Sequence, residues 1–389
     1  MSKAYRIQAI TESTIREMTR LAIQHNAINL SQGYPDFSAP AALKEAAVAA
    51  IRGDFNQYSF TWGYAPLRQK LAEIYTARLG WQVDPDQHVV VTCGVTEAIS
   101  AAFLAVLNPG DQVILFDPAH ESMRPSAIFA GAEPVSVVLE GPDYRLDPDR
   151  LAAAITPRSK ALLLNTPHNP SGRVFDAAEL AIIADAAQQH DLILITDEIY
   201  DRILYDGRQH RCPGSLEALR ARTLTLGGLS KTFAITGWRL GYAIGPDALA
   251  AAIKPAHDFL TICAPTPLQV AAVTALDFPD SYYTEMSAAY HQRREVMMAI
   301  LEEIGFLAPR PEGAYYVLAD YSSLPIPQAR WDSLRFARWL TTEIGVAVVP
   351  GTVFYGQPGH GQHTVRFAFP KQIETLHEAG RRLGRLRLD

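Results

Sequence analysis

Between His88 and Pro246 the chain alternates short apolar, β-branched runs with longer segments whose apolar residues recur at helical spacing. The short runs are "HVVVTCG", "QVILFDP", "ALLLNTP", "LILITDE", "TLTLGG" and "GYAIGP"; the longer ones include "DAAELAIIADAAQQH". A strand apolar on both faces suits a parallel sheet covered by helices on each side, because neither face then meets water. After about Phe278 the pattern changes. A long helical stretch, "YYTEMSAAYHQRREVMMAILEEIG", leads to "AYYVLADY", a further helix, "GVAVVP", "VRFAF" and a last helix, which predicts a smaller α+β unit. The first forty or so residues, with "INLSQGYPDFSAP", read as an irregular arm too apolar to float free, joining the small unit or an interface. The expected organisation is α/β: an arm over 1–44, a large domain over 45–280 on a mostly parallel sheet, and a small domain over 281–389. Neither an internal repeat nor a low-complexity linker breaks this plan.

Composition narrows the classes. At 389 residues the chain exceeds one ordinary core, and 48% hydrophobic with 20% charged residues suits a globular enzyme. A net charge of −6 without a clustered Lys/Arg stripe gives no support to nucleic-acid binding; the terminal "RRLGRLRLD" reads as the exposed face of a last helix. The three cysteines, Cys93, Cys212 and Cys263, are widely spaced and form no C-x-x-C pair, so neither disulfides nor a metal site is expected. The start "MSKAYRIQAITEST" has no apolar signal core, and "AISAAFLAVL" is about half a membrane span, so no membrane association is expected and a cytoplasmic location is.

Ligands of open parallel sheets bind beyond the carboxyl ends of the strands. There the chain reads "TCGVTEA", "FDPAHESM", "NTPHNPSG", "TDEIY" and "GGLSKTF", which brings Thr96, His120, Asn169, Asp197, Tyr200 and Lys231 toward one crevice. Lys231 lies between two apolar strands with Arg239 eight residues on. Desolvation and a second cation both lower an ammonium's pKa toward that of a useful amine nucleophile, which asks for an electrophile. Gly94, Val95 and Thr96 open a helix directly after a strand: either their N–H groups hold a phosphate, or they form an ordinary turn capped by Thr96. Arg239 offers a permanent fork to the same anion. Asp197 ends an apolar run, where a carboxylate needs a cation such as a protonated ring nitrogen. Tyr200 and Asn169 can donate to a phenolate oxygen. His120 is either a flat ring for stacking or a structural histidine. A phosphate, a pyridinium, a phenolate and an aldehyde for Lys231 together describe pyridoxal 5′-phosphate.

The segments "NLSQGYPDF", "QYSFTWGYAPLR", "NTPHNPSGRVF", "TDEIY", "SKTFAITGWRLGY", "PEGAYYVLAD" and "VRFAF" resemble the class I/II, fold-type I aminotransferases, particularly the methionine and the kynurenine or glutamine-type transaminases. The resemblance runs from about Ile28 to the last helix. It implies that Lys231 carries the cofactor as a Schiff base, Asp197 pairs with the pyridine nitrogen, and Tyr200 and Asn169 contact the ring oxygen. It implies further that Arg239 and the Gly94–Thr96 turn hold the phosphate and that Tyr58 reaches the phosphate of a neighbouring subunit in a homodimer. Arg366, with Gly33, would clamp the substrate α-carboxylate. Two residues depart from the family: Gly228 stands where a phosphate-binding serine is common, with Ser230 nearby, and His120 stands where a larger aromatic usually stacks. Acidic-substrate relatives carry an arginine shortly before the segment resembling "APTPLQ", whereas no Lys or Arg occurs here from His257 to Gln269. Tyr315, with Trp62 and Tyr64, then either lines an apolar pocket or packs in a core. The expected activity is transfer of the amino group of a neutral, aromatic or sulfur-containing amino acid to a 2-oxo acid. A C–S β-lyase shares the chemistry, and a catalytically idle cofactor-binding sensor is the reading from another class.

Overall fold

In the computed structural model, which describes residues 3–8 and 10–387, the apolar runs are strands and the spaced patterns are helices. Residues 1, 2 and 9 of the arm and 388–389 of the arginine-rich end lie outside that description. Twelve strands follow one another: β1 (Ile28–Asn29), β2 (Val89–Thr92), β3 (Gln112–Asp117), β4 (Glu133–Val138), β5 (Ser159–Asn165), β6 (Ile193–Asp197), β7 (Thr223–Gly228), β8 (Gly241–Ile244), β9 (Tyr316–Asp320), β10 (Val346–Ala347), β11 (Val349–Pro350) and β12 (Thr364–Ala368).

Seven of them form one sheet in the order β2-β8-β7-β6-β5-β3-β4. From β4 to β7 neighbours are parallel, while β8 runs antiparallel to both β7 and β2. The mostly parallel sheet expected from the pattern is therefore present. It also contains β4, which the pattern did not flag: the first four residues of "EPVSVV" are exposed or half-buried, so polar positions dilute the apolar run.

Period-two alternation sends Leu115, Leu163 and Ile195 to one face and Ile114, Leu162 and Leu194 to the other. The first set packs with the helix Val95–Val106, the second with the helix Ala177–Gln189. Each such side chain withdrawn from water contributes about 1.5–3 kcal/mol, and this two-sided burial holds the strand ends in register. The Ala177–Gln189 helix starts at a capping box, Asp176 and Glu179, which satisfies N–H groups that a helix end leaves free.

The C-terminal part has its own antiparallel sheet, β11-β12-β9, backed by the helices Asp280–Ile304 and Ile373–Leu383 through Met297, Leu301, Leu376 and Leu383. The arm is not irregular throughout. Its helix Thr14–Gln24 places Met18 in that same core, and β1 pairs in parallel with β10, Ile28 opposite Val346.

Candidate active site

A cavity of about 410 Å³ opens at the carboxyl ends of β5, β6 and β7. Val95, Thr96, His120, Asn169, Asp197, Tyr200, Ser230, Lys231 and Arg239 line it from the large sheet's side; Gly33 from the arm and Arg366 from β12 complete it. Residues far apart in sequence meet here because strand ends, arm and second sheet face the same space.

The phosphate-like corner is built from backbone. Gly94, at φ +79°, is the N-cap of the helix Val95–Val106, and no side chain caps that end. The capping role weighed for Thr96 is not observed: Thr96 sits in the first helical turn and faces the cavity. A Cβ on Gly94 would lie 2.5 Å from Nη2 of Arg239, so only glycine lets the guanidinium come so near the helix end. Arg239 is held by donation from Nη1 to the Thr236 carbonyl at 2.9 Å. Gly228, by contrast, has no room for a side chain, since a Cβ there would lie 2.7 Å from Cδ1 of Ile199 and 3.0 Å from the Leu240 carbonyl. Ser230 lines the cavity instead.

At the centre Lys231 donates from Nζ to the Gly33 carbonyl at 3.1 Å, and the Tyr315 hydroxyl donates to the same oxygen at 2.9 Å. Withdrawal from water lowers the Lys231 pKa, and the guanidiniums of Arg239 and Arg366 add to the effect. Asp197 is buried; among the described residues its carboxylate accepts only the Ile199 N–H, at 3.2 Å, and has no ion-pair partner. Burial pushes its carboxyl up to about 7. His120 is driven down to about 3 by burial and by the neighbouring Arg366 and Lys231, so its ring is neutral; Nδ1 lies 2.8 Å from the Ser122 hydroxyl.

Arg366 is 1% exposed and meets no carboxylate among the described residues. Its Nη1 donates to Oδ1 of Asn169 at 2.8 Å and its Nη2 to the Ser31 carbonyl at 2.6 Å, while Nε is buried without a partner. The ring of Tyr316 lies 4.3 Å from the guanidinium carbon. A buried cation left so incomplete is suited to a ligand carboxylate.

Several residues differ from their expected places. Tyr315 does not line the cavity; it lies behind, stacked on Tyr290, and Tyr316 forms the wall, its hydroxyl 2.9 Å from that of Tyr200. Adjacent residues entering a strand point to opposite sides, so an aromatic pair leaves the choice open to sequence. Gly33 is required beside Tyr316, whose hydroxyl would lie 1.9 Å from an added Cβ. Trp62 and Tyr64 are also absent from this chain's cavity wall. The Trp62 carbonyl accepts from Val91, the Tyr64 N–H donates to Gln269 at 2.7 Å, and Lys254 covers the indole at 3.8 Å, which pins this segment at the outer edge of the sheet by β2. Tyr58 is 76% exposed and outside the cavity.

Sequence reasoning missed Asn165 and Arg16. Asn165 donates from Nδ2 to the Asp197 carbonyl at 2.9 Å and accepts the Asn169 N–H at 2.7 Å, tying two strand ends together; its place at the end of an apolar run was the available signal. Arg16, from the helix Thr14–Gln24, lines the cavity beside Ile15 and Gln32 and forms no ion pair within 4 Å among the described residues. The segment 257–269 contains no Lys or Arg, while the arm places the cation Arg16 in the cavity wall.

Residues 25–383 match the model of the family described as aminotransferase class I and II. The chain is 36% identical to mouse kynurenine–oxoglutarate transaminase 1, covering 98% of this chain and 97% of the relative. It is 35% identical to methionine aminotransferase of Escherichia coli K12, covering 95% of each. A solved structure of N-succinyldiaminopimelate aminotransferase from Mycobacterium tuberculosis is similar at a TM-score of 0.95 and 38% identity, over 99% of this chain and 100% of that one.

Proposed function

The chain belongs to the aminotransferase class I and II family and is a pyridoxal-phosphate-dependent aminotransferase; from that premise we propose which residues do the work and which substrates they take. The residues fit the cofactor on three grounds: the uncapped helix end cradled by Gly94 and Arg239, the buried and unpaired Asp197, and the lysine amine between them. When bound, the cofactor supplies an electron sink for negative charge at the substrate Cα.

Lys231 would carry the covalent link at rest; once the substrate amine has displaced it, its freed and partly desolvated Nζ would take up the Cα proton. Asp197 holds a proton on the ring nitrogen opposite it; a carboxylate buried this deeply strongly favours a cationic neighbour. Asn169, whose Oδ1 is occupied by Arg366, donates from Nδ2 to the ring oxygen together with Tyr200. Thr96, Ser230, Arg239 and the Gly94–Val95 backbone hold the phosphate, and His120 covers the ring. The observation that carries the substrate reading is Arg366, a buried guanidinium without a counter-ion among the described residues, which binds the α-carboxylate and thereby aims Cα at Lys231.

The donor is a neutral, aromatic or sulfur-containing amino acid, in keeping with the names of the kynurenine and methionine relatives. Arg16 serves the distal carboxylate of a dicarboxylic partner such as 2-oxoglutarate. A kcat/KM screen over methionine, phenylalanine, tyrosine, kynurenine and glutamine should rank them above aspartate by about a hundredfold, because a distal carboxylate that stops short of Arg16 is buried unpaired. Arg16→Gln should raise KM for 2-oxoglutarate about tenfold and leave a neutral 2-oxo acid unaffected. Aspartate leading the screen would refute the donor reading. N-succinyldiaminopimelate, added to the screen because the mycobacterial relative is named for it, would give Arg16 a longer partner if it led.

The divisions at 44/45 and 280/281 separate an arm, a large domain and a small domain, and each contributes residues to this cavity. The working form is a homodimer. In support, Phe55, Tyr58, Phe60, Phe259, Leu260 and Ile262 are exposed, and the hydrogen bond from Ser59 N–H to the Thr266 hydroxyl brings their two segments together. Mixing Tyr58→Ala with Lys231→Ala dimers should regenerate one intact site per heterodimer; no recovery in confirmed heterodimers would put Tyr58 to work in its own chain.

A further inference from the structure

Next to Asp197 in the chain, three metal-ligating side chains of different chemistry converge. Glu198 is buried just past the end of β6; its Oε2 lies 2.6 Å from Nε2 of His210 and 2.7 Å from Sγ of Cys212. The three donor atoms all fall within 4.8 Å of one another. His210 and Cys212 also line a second cavity, of about 730 Å³, which shares no wall residue with the substrate cavity.

We propose that Glu198, His210 and Cys212 form a binding site for a borderline-soft divalent cation of the zinc type, completed by a water from the second cavity. A carboxylate, an imidazole and a thiol make a mixed O, N, S set that magnesium and calcium do not select and zinc does. Three protein ligands with a solvent-facing fourth position is an arrangement this ion commonly takes.

The backbone that carries the ligands is already held. The Glu198 N–H donates to the Leu226 carbonyl at 2.8 Å. The Cys212 carbonyl accepts from both the N–H and the hydroxyl of Ser215, at 3.0 and 2.7 Å, at the start of the helical turn Pro213–Ser215. The second carboxylate oxygen is engaged by the Thr196 hydroxyl at 2.6 Å, which orients the first toward the other two ligands.

The separations of His210 Nε2 and Cys212 Sγ from Glu198 Oε2 are hydrogen-bond distances. Around a tetrahedral zinc with bonds of about 2.0–2.3 Å the donors stand about 3.3–3.7 Å apart, so the side chains open by roughly 1 Å, within reach of small side-chain rotations. Binding releases the thiol proton to solvent and moves the imidazole's single N–H from Nε2 to Nδ1, so that the cation takes the place of both protons against Glu198. Nδ1 of His210 is buried with no partner, so no second hydrogen bond locks a proton on Nε2. The bound cation would pin the 198–212 loop to the end of β6, one residue from Asp197.

The test uses holoenzyme dialysed against a chelator and titrated with Co²⁺, then Zn²⁺. A thiolate-ligated tetrahedral site gives visible d–d bands to the red of the cofactor's absorption, at one Co²⁺ per chain, and Zn²⁺ bleaches them. Cys212→Ser and His210→Gln should each weaken binding by about tenfold or more, with Cys263→Ser unchanged as the thiol control. The wild-type titration decides the matter even if a variant fails to fold: absence of the bands overturns the proposal. So does a signal that survives both substitutions, as Co²⁺ bound at the cofactor would give.

Discussion

Arg173 and Arg366 are both buried guanidiniums, and they are handled in opposite ways. Arg173 pairs with the buried carboxylate of Glu179, donates to the Tyr144 carbonyl and lies 4.2 Å from the ring centre of Phe175. Glu179 in turn accepts the N–H groups of Leu146 and Asp176, closing the helix cap. Every charge there is answered within the chain, and the group is architecture. Arg366 has neutral acceptors on two nitrogens, an orphan Nε and no carboxylate among the described residues. Folding has taken it out of water without neutralising it. A buried charge that the chain completes holds the fold together, whereas one that it leaves incomplete is kept for a ligand. Asp197, buried and unpaired, is the acidic counterpart.

This contrast makes sharp predictions. The largest effect belongs to Lys231→Ala, which should abolish turnover and the borohydride-reducible link without unfolding the chain, since the phosphate corner still holds the cofactor; a reduced adduct at another lysine would refute the assignment. Asp197→Asn should slow single-turnover Cα proton removal by about a thousandfold or more with the cofactor still bound. Near-normal rates would mean that its unpaired charge has no catalytic use.

The two arginines should then separate by the sign of their effect on stability. Arg173→Ala strands Glu179 and should cost about 3–5 kcal/mol in denaturant unfolding while changing substrate KM little. Arg366→Ala should lower kcat/KM about a hundredfold or more for every amino acid, yet leave the unliganded fold as stable or more so. Equal destabilisation by both would erase the distinction.

The smallest effect is on pH. In cofactor-free protein the Asp197 carboxyl titrates near 7 against an ordinary 3.8, so between those values the folded chain keeps a proton that the unfolded chain has released. Stability therefore falls as pH rises across that interval and levels off above it. Thermal melts across the interval read this slope directly: the cofactor-free Asp197→Asn variant should lack the fall and melt above wild type beyond pH 7.

The strand ends were legible because burial leaves a strong mark in sequence: the polar residues that close the apolar runs had to face the one space that tolerates them. Lys231, Asp197, Asn169, His120 and Thr96 came from that rule and all line the cavity. Where two readings share one local pattern the rule fails. Tyr315 and Tyr316 differ by a half-turn of a strand, and Thr96 as cap or as wall differs by the position of one glycine. Arg16 escaped because the search for a second cation followed one segment, while the wall is assembled from an arm helix more than 200 residues away in sequence. The neighbours of Cys212 were not legible because they are a carboxylate and an imidazole rather than a second cysteine.

The pairing of β1 with β10 has a consequence for biosynthesis. Asn29 leaves the ribosome early, but its strand partner Ala347 is made 318 residues later. At translation rates of about 5–20 residues per second that is an interval of roughly a quarter of a minute to a minute, during which the apolar arm has no strand to join. The large sheet can form in that time, yet Gly33, Arg16 and Arg366 reach the cavity only once the C-terminal strands emerge. A nascent chain whose large sheet had formed in that interval would hold an open-sided pocket, and completion of the cavity wall would be the last step on its way out of the ribosome.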